Sequence, residues 1–312
     1  MFQLLPPPMA RLAPLLALAC VLLAGSAAAT PLPSPQAPAT PAPASAVAAS
    51  LEALPSRFAS LDGVKVHYKV AGDSPVALVL VHGWTCDLGF FREQLPMARD
   101  LRLLLVDLPG HGRSGMPASF SMDLFAKAVE AAMRDAGIEK AFLAGHSMGT
   151  AVARQVYRLF PWRVRGLVAL DGALRSYFDS QEKVDAYVAP LEGAGGRAAF
   201  LKKVDGMLPA TTAPAIREYV RISMTRTRQE TAAGAARAMF DLAIWADDAI
   251  QVPLLLVLAR SPWWDAGYRA HVRKLAPSAG FVELDGVSHF LMLEKPEAVN
   301  AALLGFCAGG AR

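Results

Sequence analysis

Gly145-His146-Ser147-Met148-Gly149 reads G-x-S-x-G, with the apolar run Ala141-Phe142-Leu143-Ala144 before it and a helix-compatible run from Thr150 to Val156 after it. A serine hydroxyl is a poor nucleophile unless it is held out of its strand and next to a base. A tight strand-to-helix turn does this, and it crowds the backbone, so the flanking positions must be small. Gly145 and Gly149 meet that need. The same turn aims the backbone N–H of Met148 at the place where a tetrahedral oxyanion would form, and the following helix adds the positive end of its dipole. The chemistry implied is attack by Ser147 on an electrophilic carbon.

A second stretch fits the first. The apolar run Val76 to Val81 ends in His82-Gly83-Trp84-Thr85. A glycine directly after a buried strand lets the backbone come close to a ligand, and the N–H of Trp84 is the expected second oxyanion donor. A well-placed donor of this kind contributes about 3–4 kcal/mol in the transition state. His82 is expected to fix the loop by hydrogen bonds.

These residues need a scaffold, and its elements are readable. Asp62-Gly63 between the alternating runs 57–61 and 64–70 signals an antiparallel hairpin, with His67 on the solvated face. Leu101 to Val106 is a further strand, followed by the loop Asp107-Leu108-Pro109-Gly110-His111-Gly112-Arg113-Ser114. Ser121 caps a helix whose apolar face is Leu124, Phe125, Ala128, Val129, Ala132 and Met133, and Gly137 ends it. Val164 to Leu170 is a strand leading to Asp171-Gly172. Continuous apolar strands alternating with helices indicate a parallel sheet buried on both faces, with its site at the carboxyl ends of the strands. Trp84, Asp107, Ser147 and Asp171 all fall on that edge.

From residue 173 to 250 no strand signal appears. Helical stretches at 177–188, 197–207, 215–226 and 231–246 read as an inserted helical cap, since the segment is too long for a loop. Arg217, Arg221 and Arg228 are expected on a solvated helix face rather than around an anionic substrate. Val252 to Ala259 returns to a strand, a helix follows from 268 to 275, Phe281 to Leu284 is the last strand, and Pro296 opens the final helix.

The chain has 312 residues, 54% of them hydrophobic and 19% charged, which is ample for a large core and excludes a disordered chain. Its net charge of +4 comes without any Lys/Arg block, so no nucleic-acid partner is implied. Residues 1–29 read as a signal peptide: Arg11, an apolar run from Leu12 to Gly25 and Ala27-Ala28-Ala29 as the cleavage site. This predicts export to a periplasm or the medium, with no stable membrane span after cleavage. Residues 30–50, rich in Pro and Ala, read as an extended linker. The folded part is then a core of 51–172 and 251–312 with a cap of 173–250. Cys86 and Cys307 show no metal-ligand spacing and are expected as free thiols.

The ordered set His82-Gly83-Trp84, Asp107 to Ser114, Gly145 to Gly149 and Ser288-His289-Phe290 resembles the α/β-hydrolase superfamily over roughly residues 57 to 308, in the capped, carboxylesterase-like branch. The resemblance implies an α/β fold with an eight-stranded, mostly parallel sheet flanked by helices and a helical cap after the sixth strand. It implies Ser147 as nucleophile, His289 as general base, Trp84 and Met148 as oxyanion hole, a small-molecule substrate and no cofactor or metal. The usual acid position after the seventh strand reads Ala259-Arg260-Ser261-Pro262, without an acid. Asp265, three residues on, is the favoured acid, and Asp171 after the sixth strand is the alternative. Trp84, Phe90, Phe91, Trp263, Trp264 and Phe290 lie on loops expected to face the pocket, with Trp84, Phe90, Trp263 and Phe290 as the substrate-binding set. They suggest esters of small or medium apolar acyl groups. A carbon–carbon bond hydrolase of the same fold and a non-catalytic binding protein are the alternatives.

Overall fold

The computed structural model describes residues 51–309. The expected signal peptide and linker lie outside them. Eight strands form one sheet: β1 (Arg57–Leu61), β2 (Val64–Ala71), β3 (Ala77–Val81), β4 (Arg102–Val106), β5 (Ala141–His146), β6 (Val164–Leu170), β7 (Leu254–Ala259) and β8 (Gly280–Leu284). Their order is β1-β2-β4-β3-β5-β6-β7-β8. β2 pairs antiparallel with β1 and β4, and every other pair is parallel. The central strands β3 and β7 are apolar throughout because both faces are covered: all five residues of β3 and all six of β5 and β7 are buried. The hairpin turn is made by Asp62 and Gly63, both at positive φ, as its twist requires.

Two helices bracket the nucleophile's strand. In α1 (Met122–Asp135) the Ser121 side chain accepts from Leu124 N at 3.0 Å. Its end is a Schellman closure, with Gly137 at φ 66° and bonds from Gly137 N to Arg134 O and from Ile138 N to Met133 O. α2 (Met148–Leu159) follows β5 directly.

The insertion between β6 and β7 consists of α3 (Gln181–Glu192), α4 (Gly196–Gly206), α5 (Pro214–Thr225) and α6 (Gln229–Phe240). The first begins four residues later than expected because Ser180 caps it, and the last stops at Phe240, where Asp241 caps a separate 3₁₀ turn, Leu242–Trp245. The cap has its own interior of Val184, Val188, Leu191, Phe200, Val204, Val220 and Met224. Arg217 binds the carbonyls of Leu208 and Pro209, Arg221 pairs with Asp205 and Arg228 with Glu230, so these arginines serve the cap's own structure. Hydrogen bonds tie the cap to the core: Trp84 Nε1 to Ala232 O (2.7 Å), Thr227 Oγ1 to Thr85 O (2.9 Å) and Thr231 Oγ1 to Gly110 O (3.1 Å). At its exit, the buried Arg154 of α2 donates to Leu174 O, Ala246 O and Asp248, and Arg158 pairs with the same aspartate.

The chain closes with α7 (Ala266–Leu275), the short α8 (Leu291–Glu294) and α9 (Pro296–Gly309). Cys86 and Cys307 are free and buried. Among the described residues, no helix is long and apolar enough to cross a membrane.

Candidate active site

Ser147 sits between β5 and α2 with φ 53° and ψ −118°. A non-glycine residue in this region stores about 1–3 kcal/mol of backbone strain and persists only where its surroundings hold it. Here Ser147 N donates to Leu170 O of β6 at 3.0 Å, and its carbonyl accepts from Thr150 N at 3.0 Å. The glycines are sterically required. A Cβ on Gly145 would overlap the carbonyl of Gly149, and one on Gly149 would overlap the carbonyl of Val81. Met148 is the first residue of α2, where an N–H has no partner within the helix. Ser147 remains partly accessible.

His289 leaves the loop after β8 and is held beside this turn. His146, the residue before Ser147, donates from Nε2 to His289 O at 2.8 Å, and the two rings lie 4.7 Å apart. Burial, followed by the neighbouring His289, pushes His146 well below the ordinary imidazole range. It is therefore neutral, and its Nδ1 abuts Gly83, where a Cβ would come within 2.9 Å. His146 thus links the nucleophile turn, the loop after β3 and the histidine loop.

The carboxylate that meets His289 is Asp171. Its Oδ2 lies 2.7 Å from His289 Nδ1, and its Oδ1 accepts from Ala259 N and Trp264 Nε1, each at 3.0 Å. Asp171 has φ 47°. Asp265, the favoured acid from sequence, is elsewhere engaged: it is the N-cap of α7 and accepts from Tyr268 N at 2.7 Å. The reason is local. Ser261 caps a 3₁₀ turn at Pro262–Trp264 that carries Asp265 past the strand end and places Trp264 there instead.

The aromatic residues divide. Phe90 and Phe290 have no accessible surface and pack on each other at 5.8 Å, with Phe290 also against His146 and His289. They support the histidine loop rather than present a binding surface, which corrects the expectation for both. Phe91 is buried as well. The Trp84 side chain is turned into the cap, edge-on to Phe200 and bonded to Ala232 O. Trp263 is 42% exposed and meets Tyr177, 40% exposed, edge-to-face at 6.4 Å. Sequence reasoning does not single out Tyr177. It is enclosed enough that burial, then the charges of Tyr268 and Asp171, raise its phenol.

His82 acts as expected. Its Nδ1 donates to Gly83 O at 2.8 Å, and its Nε2 accepts from Leu108 N at 3.0 Å. Burial lowers its basicity, against the pull of Asp107. His67, in contrast, is buried rather than solvated, and its ring joins Asp107 Oδ2 (2.7 Å) to Ser56 Oγ (3.0 Å). This is a second Ser-His-Asp succession. Ser56, however, follows Pro55 outside any glycine-flanked turn, and its oxygen accepts from Arg113 Nη1 at 2.6 Å. Asp107 is occupied too: besides His67 it accepts from Leu88 N and Arg113 N. Burial works against its charge, yet these bonds hold its carboxyl below the ordinary value. The group is a brace that fastens the hairpin to the loop after β4.

A family model described as "Alpha/beta hydrolase family" matches residues 78–302. The dihydrolipoyllysine-residue acetyltransferase component of the acetoin cleaving system of Pseudomonas putida is 32% identical over 247 residues, which are 77% of this chain and 65% of that protein. The pimeloyl-(acyl-carrier protein) methyl ester esterase of Yersinia enterocolitica is 34% identical over 110 residues, 35% of this chain and 41% of that protein. The chain thus spans less than two thirds of the length of either relative. Among solved structures, a thermophilic esterase from Thermogutta terrifontis matches with a TM-score of 0.72 at 22% identity, covering 82% of this chain and 99% of that one. The enol-lactonase from Burkholderia xenovorans LB400 matches with a TM-score of 0.71 at 22% identity, covering 81% and 100%. At these identities the likeness is one of fold.

Proposed function

Since the chain belongs to the α/β-hydrolase family, we propose that it is a serine hydrolase that cleaves esters of small or medium apolar acyl groups through an acyl-enzyme. The observation that carries this reading is the 2.7 Å bond between His289 Nδ1 and Asp171 beside the strained Ser147 turn. With Nδ1–H given to the carboxylate, the imidazole offers Nε2 as a base. His289 takes the Ser147 proton as the oxygen attacks the acyl carbon, and Asp171 stabilises the imidazolium that results. The N–H groups of Met148 and Trp84 receive the charge that develops on the carbonyl oxygen. The imidazolium then protonates the leaving alcohol. In the second half, His289 takes a proton from water as the water oxygen attacks the acyl carbon, and returns it to Ser147 Oγ as that bond breaks and the acid leaves. The exposed faces of Tyr177 and Trp263 favour an apolar or aromatic group on the substrate.

The test is hydrolysis of a chain-length series of p-nitrophenyl esters by the protein and by Ser147→Ala. Turnover with a burst of p-nitrophenol, lost in the variant, is expected. Folded protein inert on every ester would sink the reading and favour a carbon–carbon hydrolase or a binding protein. We also propose that the chain is exported, on the pattern of its first 29 residues. N-terminal sequencing of protein from periplasm and medium tests this: a start near Thr30 is expected, and intact protein confined to the cytoplasm would refute it.

A further inference from the structure

We propose that Trp264 is a positioning residue for this reaction, its indole N–H holding the Asp171 carboxylate in the orientation that serves His289. The inference rests on the serine-hydrolase reading above and extends it to a residue that touches neither substrate nor the reacting atoms.

Asp171 is held by three N–H groups. Its Oδ2 faces His289 Nδ1 at 2.7 Å, and its Oδ1 accepts from Ala259 N and Trp264 Nε1 at 3.0 Å each. Two donors on one oxygen fix the rotation of the carboxylate, so the other oxygen stays directed at the imidazole. Ala259 N belongs to the end of β7, and that bond would form with any residue at 259. The Trp264 bond depends on its side chain. An indole N–H donates only, and Trp264 is 7% and Asp171 6% exposed, so the bond between them is shielded from bulk solvent.

The surrounding segment holds Trp264 firmly. Ser261 starts its 3₁₀ turn, with Trp264 N bonded to Ser261 O at 3.2 Å. Its carbonyl accepts from Arg269 Nε at 3.2 Å. Its ring lies against Tyr268 at 4.8 Å. Tyr268 in turn binds the other side of the Asp171 loop, donating to Gly172 O at 3.3 Å and accepting from Leu174 N at 3.2 Å. Asp265 secures Tyr268 by capping its helix. The segment from 261 to 269 therefore encloses Asp171, whose backbone lies in the left-handed region and needs such support. The place where sequence sought the acid supplies a donor to the acid instead.

The discriminating variants are Trp264→Phe and Trp264→Met, which keep an apolar side chain of useful size and remove the donor. A Trp264 that merely fills space would change melting temperature alone. A positioning Trp264 changes catalysis in a particular way. Once one donor is gone, the carboxylate is free to turn away from the imidazole, so kcat falls about tenfold while KM stays within about twofold. The proton shared by His289 and Asp171 gives an independent readout: its low-field resonance in the proton spectrum should shift in both variants.

Folded variants with wild-type kcat and an unmoved resonance would overturn the role of Trp264. Ser147→Ala run alongside separates the two levels of the argument. If esterase turnover survives in Ser147→Ala, the serine-hydrolase reading fails. If turnover is lost there but Trp264→Phe is indistinguishable from wild type, only the present inference fails.

Discussion

Replacing Asp171 by asparagine is the sharpest test of the site. The two side chains are nearly the same size, and the carbonyl oxygen of the amide still accepts from Ala259 N and Trp264 Nε1, both 3.0 Å from Oδ1 in the native protein. Those bonds direct the amide NH₂ at His289, where the carboxylate Oδ2 stood at 2.7 Å. An NH₂ group only donates, so His289 Nδ1 must accept. The ring proton then moves to Nε2, and the nitrogen proposed to take the Ser147 proton is no longer a base. The geometry survives while the tautomer is wrong, a situation in which kcat falls by about 10⁴, or about 5 kcal/mol of transition-state stabilisation. Asp265→Asn is the paired control. Asparagine caps a helix as well as aspartate does, so the bond to Tyr268 N is retained. Exchanging one good cap for another costs at most about a few tenths of a kcal/mol, and kcat should stay within about twofold of wild type. The assay is steady-state hydrolysis of a p-nitrophenyl ester, with circular dichroism to confirm folding. Loss of activity in Asp265→Asn with an active Asp171→Asn would refute the assignment of roles.

Three further outcomes follow from the same structure. Asp87 has its carboxyl pushed up to about 6, by burial first and then by the charge of Asp107. The folded state therefore binds this proton more tightly than the unfolded chain, and stability falls as pH rises from about 4 to about 6, by at most about 3 kcal/mol; Asp87→Asn, which keeps the cap on Gly89 N, should melt higher than wild type at pH 7 and not at pH 4. Gly145→Ala should cost about 3 kcal/mol or more, because its methyl group meets backbone that cannot move aside, and urea unfolding would read this directly. A fluorophosphonate probe should label wild type and Ser56→Ala alike and leave Ser147→Ala unlabelled; labelling that depends on Ser56 would mean that the buried His67–Asp107 pair activates a serine after all.

The residues that sequence places correctly are those whose constraint is local. Gly145, Ser147 and Gly149 lie within five positions, and the overlap that excludes larger residues arises inside that turn or against the adjoining strand. The strands are legible for a similar reason, since a run such as Ala77–Val81, buried on both faces, must be apolar at every position. The acid is a different kind of problem. Asp171 and His289 are 118 positions apart, and whether Asp171 or Asp265 reaches the imidazole depends on how the loops after β6 and β7 turn. That turn is decided by Ser261 and Pro262 starting a 3₁₀ helix, a signal that reads as an ordinary loop. His67 is misplaced for a related reason. Period-two alternation assumes one wet face, but β2 lies between β1 and β4 and beneath α1, so its central residues Val66 to Lys69 are all buried. Tyr177 carries no sequence signal at all, because its position depends on the cap's entry path.

The bonds between cap and core bear on how such a protein can change. Trp84, whose N–H is assigned to the oxyanion, gives its indole to Ala232 of the cap, and Thr227 holds the carbonyl of the next residue, Thr85. At the other end, Arg154 and Arg158 fasten the cap's exit to α2, the helix that begins at Met148. The two N–H groups proposed as oxyanion donors are thus mechanically continuous with the cap. The insertion is consequently a poor interchangeable cassette: a graft from a homologue that altered only the specificity wall would also have to reproduce a threonine hydroxyl, a free carbonyl and an aspartate at matching places. Diversification of substrate range should proceed by point substitution on the cleft faces, with whole-cap exchange penalised in turnover even where binding is preserved.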